Sequence, residues 1–332
     1  MPDTDNPAPP VAGATRRTVA RDGVELSVLD AGEGFPVVLA HGFPELAYSW
    51  RHQIPALAAA GCRVLAPDQR GYGRSSRPAA LEDYDILRLT GDLVGLLDDI
   101  GEERAVFVGH DWGAMLVWHL ALLAPERVAG VVGMSVPFLP RGPIPPTQLM
   151  RQVVGDSFLY ILYFQEPGVA DADLGRDAAE TMTRMLAGLR VEAGDSPVPP
   201  DALAGDGRGF VERLPEAEGL PGWLGQDELD HYIDEFRRTG FTGGLNWYRN
   251  MDRNWELTPQ LAGAKVAEPA LFVGGSSDPV LLMTPPAVMD GWLDDPRGTV
   301  LVDGAGHWVQ QEKPAEVNAA LIDFVDAVRT GT

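Results

Sequence analysis

Residues 105–114 read Ala105-Val106-Phe107-Val108-Gly109-His110-Asp111-Trp112-Gly113-Ala114, and a helix-like stretch follows from Met115 to Ala124. An apolar run, a break flanked by small residues and a helix describe a strand–elbow–helix unit. Such an elbow exposes one side chain at a strained turn, and glycines on both sides let the backbone fold closely around it. The usual occupant is Ser. Here it is Asp111. A serine would imply acyl transfer, whereas a carboxylate, already ionised at neutral pH, implies attack on a saturated carbon to form an alkyl ester.

Working outward, further apolar runs at 37–40, 63–66 and 128–134 suit strands buried on both faces of a parallel sheet, and later runs at 270–273 and 299–302 resume the strand pattern. Helix-like segments lie between them, notably Trp50 to Ala60 and Asp92 to Ile100, the latter stopped by Gly101. Val19 to Asp30 reads as a hairpin around Asp22-Gly23. This alternation predicts an α/β fold with a doubly wound, mostly parallel sheet flanked by helices. Between 138 and 256 the strand pattern disappears. Helix-like segments at 147–164, 176–190 and 226–238 surround a Gly/Pro-rich stretch at 194–222, and Leu229, Tyr232, Ile233 and Phe236 share one helical face. The expected organisation is a disordered tail over 1–15, a core over 16–137 and 257–332, and a helical cap over 138–256. That cap is inserted above the carboxyl ends of the strands.

The 332 residues are 45% hydrophobic and carry a formal charge of −22, which argues against binding nucleic acid or anionic membranes. No run is long enough to span a membrane and no signal pattern opens the chain. The single cysteine, Cys62, precedes an apolar run and reads as a buried packing residue in a cytoplasmic protein.

An ester on Asp111 has to be hydrolysed by activated water. His307, in Gly304-Ala305-Gly306-His307-Trp308, follows the final strand-like run, and Asp278 follows the run before it. Nucleophile, acid and histidine stand in the chain order of the triads that serve such elbows. The other histidines read as structural, His52, His119 and His231 within helices and His110 as support for the elbow. Phe43, after the strand at 37–40, and Trp112, after the nucleophile, are the expected backbone N–H donors to an oxyanion. The charges of Asp68-Gln69-Arg70-Gly71-Tyr72-Gly73-Arg74-Ser75 read as scaffold.

From 16 to 330 the chain resembles the soluble-type epoxide hydrolases of the α/β-hydrolase superfamily. The segments that carry the resemblance are His-Gly-Phe-Pro-Glu (41–45), Asp-Gln-Arg-Gly-Tyr-Gly-Arg-Ser (68–75) and Gly-His-Asp-Trp-Gly (109–113). Tyr-Phe-Gln-Glu-Pro-Gly (163–168), Asn-Trp-Tyr-Arg-Asn (246–250) and Gly-His-Trp (306–308) complete the set. The resemblance implies that two cap tyrosines hold the epoxide oxygen. The family spacing gives these as Tyr160 and Tyr248, where the residues alone leave Tyr160 and Tyr163 equivalent. A phenol suits the role because it stays neutral at pH 7 while donating to a developing alkoxide.

The expected activity is hydrolysis of an epoxide, an apolar small molecule, to a vicinal diol without metal or organic cofactor. Phe43, Trp112, Phe164 and Trp247 are candidate substrate contacts, and the protein is a monomer or homodimer. Some larger relatives carry an N-terminal phosphatase domain, and only the tail precedes the hydrolase pattern here, so that second activity is expected to be absent. A haloalkane or haloacetate dehalogenase is the nearest alternative. The haloalkane enzymes carry Asn where this chain has Phe43, and the haloacetate enzymes carry Arg where it has Trp112. A second alternative is a non-catalytic ligand-binding homologue, which would be free to lose the triad members present here.

Overall fold

The computed structural model describes residues 10–188 and 204–332. Eight strands form one sheet: β1 (Ala14–Arg21), β2 (Val24–Ala31), β3 (Phe35–Ala40), β4 (Cys62–Pro67), β5 (Ala105–His110), β6 (Val128–Met134), β7 (Val266–Gly275) and β8 (Leu293–Val302). Their spatial order is β1-β2-β4-β3-β5-β6-β7-β8. β1 and β2 are antiparallel, β2 meets β4 antiparallel, and the pairings from β4 to β8 are parallel. Asp22 and Gly23 both have positive φ, 50° and 80°, the conformation of a tight hairpin turn. The continuous apolar runs of β3, β5 and β6 are the buried centre of the sheet, because helices cover both of its faces.

In the core, α1 (Gln53–Ala59), α2 (Ile86–Ile100) and α3 (Trp112–Leu123) alternate with these strands. The Asp85 side chain accepts from the amides of Leu87 and Arg88 to start α2, and Gly101, at φ 73°, ends it. The helix therefore begins well before the expected Asp92. α4 (Pro146–Val154), α5 (Tyr160–Tyr163), α6 (Val169–Arg176), α7 (Ala178–Gly188), α8 (Gln226–Thr239), α9 (Thr242–Arg249) and α10 (Met251–Leu257) follow without an intervening strand among the described residues. α11 (Pro279–Met283), α12 (Val309–Glu312) and α13 (Pro314–Thr330) return to the sheet.

Three further expectations change. The single helix over 147–164 is two, because the chain leaves α4 at Gly155, where φ is 57°, and resumes as the short α5. α6 was not expected; Gly168 starts it, its N–H donating to the Asp171 carboxylate. The tail yields to structure before residue 16, since Ala14 and Thr15 pair with Ala31 and Asp30, and Val11 is buried. Residues 1–9 of that tail, the end of the helix expected to reach 190 and the Gly/Pro-rich stretch up to 203 lie outside the described residues. Cys62 is buried as expected.

The sheet register positions the chemistry. Ala40 pairs with Gly109, His110 with Met134, Met134 with Val273 and Gly275 with Val302. The carboxyl ends of β3, β5, β6, β7 and β8 are thus level, and the loops leaving them carry Phe43, Asp111, Ser135, Asp278 and His307. The helical segment is tied to this rim. Arg51 pairs with Glu228 at 2.5 Å, Tyr232 shares a hydrogen bond with Ser49 at 2.8 Å, and the Trp308 indole donates to the Met185 carbonyl at 3.2 Å.

Candidate active site

Asp111 occupies the single residue between β5 and α3, with φ 54° and ψ −118°, a strained conformation for anything but glycine. The crowding explains its neighbours. A Cβ on Gly109 would lie 2.0 Å from the Gly113 carbonyl oxygen, and one on Gly113 would lie 2.0 Å from that of Ala40. Gly42 is required from the other side, since its Cβ would meet Asp111 Oδ1 at 2.5 Å.

The carboxylate is divided between two environments. Oδ1 accepts the Phe43 amide at 2.8 Å, and the Trp112 amide also hydrogen-bonds the side chain. Oδ2 faces His307 Nε2 at 3.7 Å. Burial pushes the Asp111 pKa up, and the nearby histidines and the two amides oppose that without cancelling it.

His307 Nδ1 lies 3.1 Å from both oxygens of Asp278, a wholly buried carboxylate that also accepts the Val280 amide at the start of α11. Burial alone would raise the pKa of Asp278, but the His307 charge and hydrogen bond reverse this and hold it below the ordinary value. Burial alone would likewise depress the imidazole. The charge and hydrogen bond of Asp278, followed by the charges of Asp111 and Glu45, push it up instead to about 9. The three residues expected to form the triad therefore converge.

Tyr248, on α9, packs edge-on against Trp112 at 4.9 Å, Phe164 at 5.1 Å and Phe43 at 5.5 Å between ring centroids. Tyr160, at the first turn of α5, stands 6.1 Å from Tyr248 and 5.5 Å from Phe164. Two cross-links bring these tyrosines together. Gln165 donates to the Tyr248 carbonyl at 3.1 Å, and Arg249 Nε donates to the Phe164 carbonyl at 3.1 Å. The two segments 163–168 and 246–250 that stand out in the sequence are thus bonded to each other. Burial, and next the Asp111 charge, raise the pKa of both phenols, so both are neutral donors at pH 7. Tyr163 is engaged elsewhere, because its hydroxyl donates to Asp173.

Among the candidate substrate contacts, Phe43, Trp112 and Phe164 share one aromatic cluster with the tyrosines. Trp247 buttresses that cluster from the scaffold. Its indole donates to the Arg70 carbonyl at 3.1 Å, and its ring packs edge-on against Tyr72 and Trp112. The charged loop is scaffold as read, with Arg70 forked onto Asp92 at 2.8 and 2.7 Å. Among the described residues, no group of three His, Cys, Asp or Glu side chains is placed to hold a metal ion.

Two residues near the triad escaped the sequence reading. Glu45 is fully buried, accepts His110 Nδ1 at 2.6 Å and the Gly42 amide at 2.9 Å, and has its pKa lowered to about 2 despite burial, chiefly by His110. Ser135, at φ 62°, donates to the His307 carbonyl at 2.9 Å, which His110 Nε2 also meets at 2.7 Å. His110 thus supports more than the elbow. A carboxylate inside the uncharged run 38–50 was the available signal for Glu45, because a buried charge needs a partner. Ser135 had none.

A family profile described as the alpha/beta hydrolase fold matches residues 36–314. The chain is 62% identical to epoxide hydrolase A of Mycobacterium tuberculosis (strain ATCC 25618 / H37Rv), over 94% of this chain and 97% of that protein. It is 40% identical to bifunctional epoxide hydrolase 2 of Sus scrofa, covering 92% of this chain and 54% of that longer protein. The crystal structure of epoxide hydrolase A from Mycobacterium thermoresistibile superposes with a TM-score of 0.89 at 61% identity, over 94% of this chain and 98% of that one.

Proposed function

The chain belongs to the epoxide hydrolases of the α/β-hydrolase fold, and from that premise we propose that it hydrolyses a small epoxide to a vicinal diol through an ester on Asp111. The observation that carries this reading is the division of the Asp111 carboxylate. Oδ1 accepts the Phe43 amide, where the carbonyl oxygen of an ester must sit, and Oδ2, facing His307, is left to attack. The oxirane C–O bond breaks as the Oδ2–C bond forms, and Tyr160 and Tyr248 donate to the departing oxygen, one of them giving up its proton.

Esterification then changes His307. The resting imidazole is held protonated chiefly by Asp278, and the Asp111 charge 3.7 Å away adds to this; the ester removes that second charge and weakens the hold on the proton. Its proton becomes available to the phenolate, and the neutral ring acts as general base on water. Hydroxide adds to the ester carbon, and the Phe43 and Trp112 amides take the oxyanion. Collapse expels the diol oxygen, which takes the proton from His307, and the Asp111 carboxyl left by hydroxide passes its remaining proton to the neutral ring, restoring the carboxylate and the imidazolium. Asp278 orients the ring and stabilises its cationic form throughout.

In this reading 138–256 is a cap on a core formed by 16–137 and 257–332. Its function is to supply the tyrosines and to shield the ester from bulk water. No helix among the described residues is long and apolar enough to cross a membrane. A reducing cytoplasm is the proposed compartment, supported by a single, buried cysteine. The dehalogenase alternative loses ground to one contact: the Trp112 side chain, which would have to meet a halide, packs edge-on against Tyr248 at 4.9 Å between ring centroids. A kinetic screen of aromatic, terminal-alkyl and fatty-acid epoxides, with diol detection alongside a chloroalkane panel, tests the proposal. Diol without halide release is expected, and halide release without diol from any epoxide overturns it.

A further inference from the structure

One side chain grips the backbone on both sides of His307. Glu312, the last residue of α12, accepts the Gly306 amide on Oε2 at 2.9 Å and the Trp308 amide on Oε1 at 3.0 Å. The far ends of the same two peptide planes are also held. The Ala305 carbonyl accepts the Ser277 amide at 2.9 Å, and the His307 carbonyl is met by His110 and Ser135. Each plane is therefore fixed at its nitrogen and at its oxygen, and the Cα–Cβ bond of His307 leaves from a point bracketed by the two.

Only a carboxylate completes this arrangement with one residue. It offers two acceptors to two N–H groups, each as a charge-assisted bond. A glutamine in its place would satisfy one amide and turn its own NH₂ towards the other, leaving two donors face to face.

We propose that Glu312 is a positioning residue for ester hydrolysis: by clamping the amides of Gly306 and Trp308 it holds His307 Nε2 in line for the water that attacks the Asp111 ester. The inference rests on the reading of His307 as the base of the second step. It separates the two half-reactions, because alkylation is carried by Asp111 and the tyrosines, whereas hydrolysis depends on the imidazole's aim. Small misplacements of a reacting group cost about tenfold to a hundredfold in rate.

The test follows Glu312→Gln with styrene oxide, reading alkylation by stopped-flow tryptophan fluorescence and the steady-state ester fraction by acid quench and intact mass. Alkylation is expected to stay within about twofold of the parent, ester hydrolysis to slow by about tenfold, and the ester fraction to rise. Hydrolysis within twofold of the parent overturns the proposal, and so does an equal slowing of both steps, the signature of a merely structural role. Glu312→Asp keeps the charge one methylene short and should show the same imbalance to a smaller degree; it is the deciding variant if the glutamine protein does not fold. Failure of the parent to form any ester overturns the underlying mechanism instead, and the inference with it.

Discussion

Replacing Asp111 by Asn removes one negative charge 3.7 Å from His307 Nε2 and leaves the side chain's shape unchanged. The amide is electrostatically equivalent to the neutral ester, so the variant isolates the switch in the proposed hydrolysis step. A charge at 3.7 Å is worth about 1 kcal/mol at the dielectric of water and about 4.5 kcal/mol at an effective dielectric of about 20. The His307 pKa should therefore fall from about 9 by between about one and three pH units. The assay is an NMR titration of the imidazole in the parent and in Asp111→Asn, with His307→Gln to assign the signal and intact mass to confirm that the amide persists.

Stability supplies a second readout of the same shift. A folded-state pKa raised from 6.5 to about 9 contributes stability that is complete below pH 6.5 and lost as pH climbs to 9. The parent should lose more stability over that window than Asp111→Asn. An imidazole that titrates identically in both proteins, or a parent value at or below 6.5, would refute the reasoning.

Tyr160→Phe and Tyr248→Phe should each slow alkylation by about tenfold to a hundredfold, since each removes one donor to the developing alkoxide; stopped-flow fluorescence at the parent rate in either variant contradicts the assignment. Gly113→Ala places a methyl 2.0 Å from the Ala40 carbonyl oxygen, so the elbow should not form. A soluble variant melting within a few degrees of the parent would show otherwise. Asp92→Ala strands the buried Arg70 guanidinium and should cost about 3–5 kcal/mol in urea unfolding; a loss under about 1 kcal/mol would mean that water or another group compensates.

The fold was legible where the physics is local. The apolar runs of β3 to β6 can be buried only between layers, and the Gly-His-Asp-Trp-Gly elbow announces its own crowding, so the core and Asp111 could be read directly. Asp278 and His307 were legible through their places at strand ends. The segment 138–256 was less so, because several of its helices are short and are set by single residues. Gly155 breaks what the periodicity reads as one helix, and Asp171 starts another that only Ala170 and Leu174 turn inward. Tyr160 was separated from Tyr163 only by the resemblance; the structure supplies the physical difference, since Asp173 occupies the Tyr163 hydroxyl. Glu312 lay beyond the sequence because its partners are backbone amides, which no residue type advertises.

The central claim is that the reaction runs through a covalent ester on Asp111 whose removal needs His307. Incubating His307→Gln with styrene oxide and measuring intact mass, then mapping the modified peptide, tests it most directly. The account predicts near-stoichiometric gain of one substrate mass at Asp111 that persists for many parent turnovers. A variant that stays unmodified, or that carries the adduct at another residue, contradicts it.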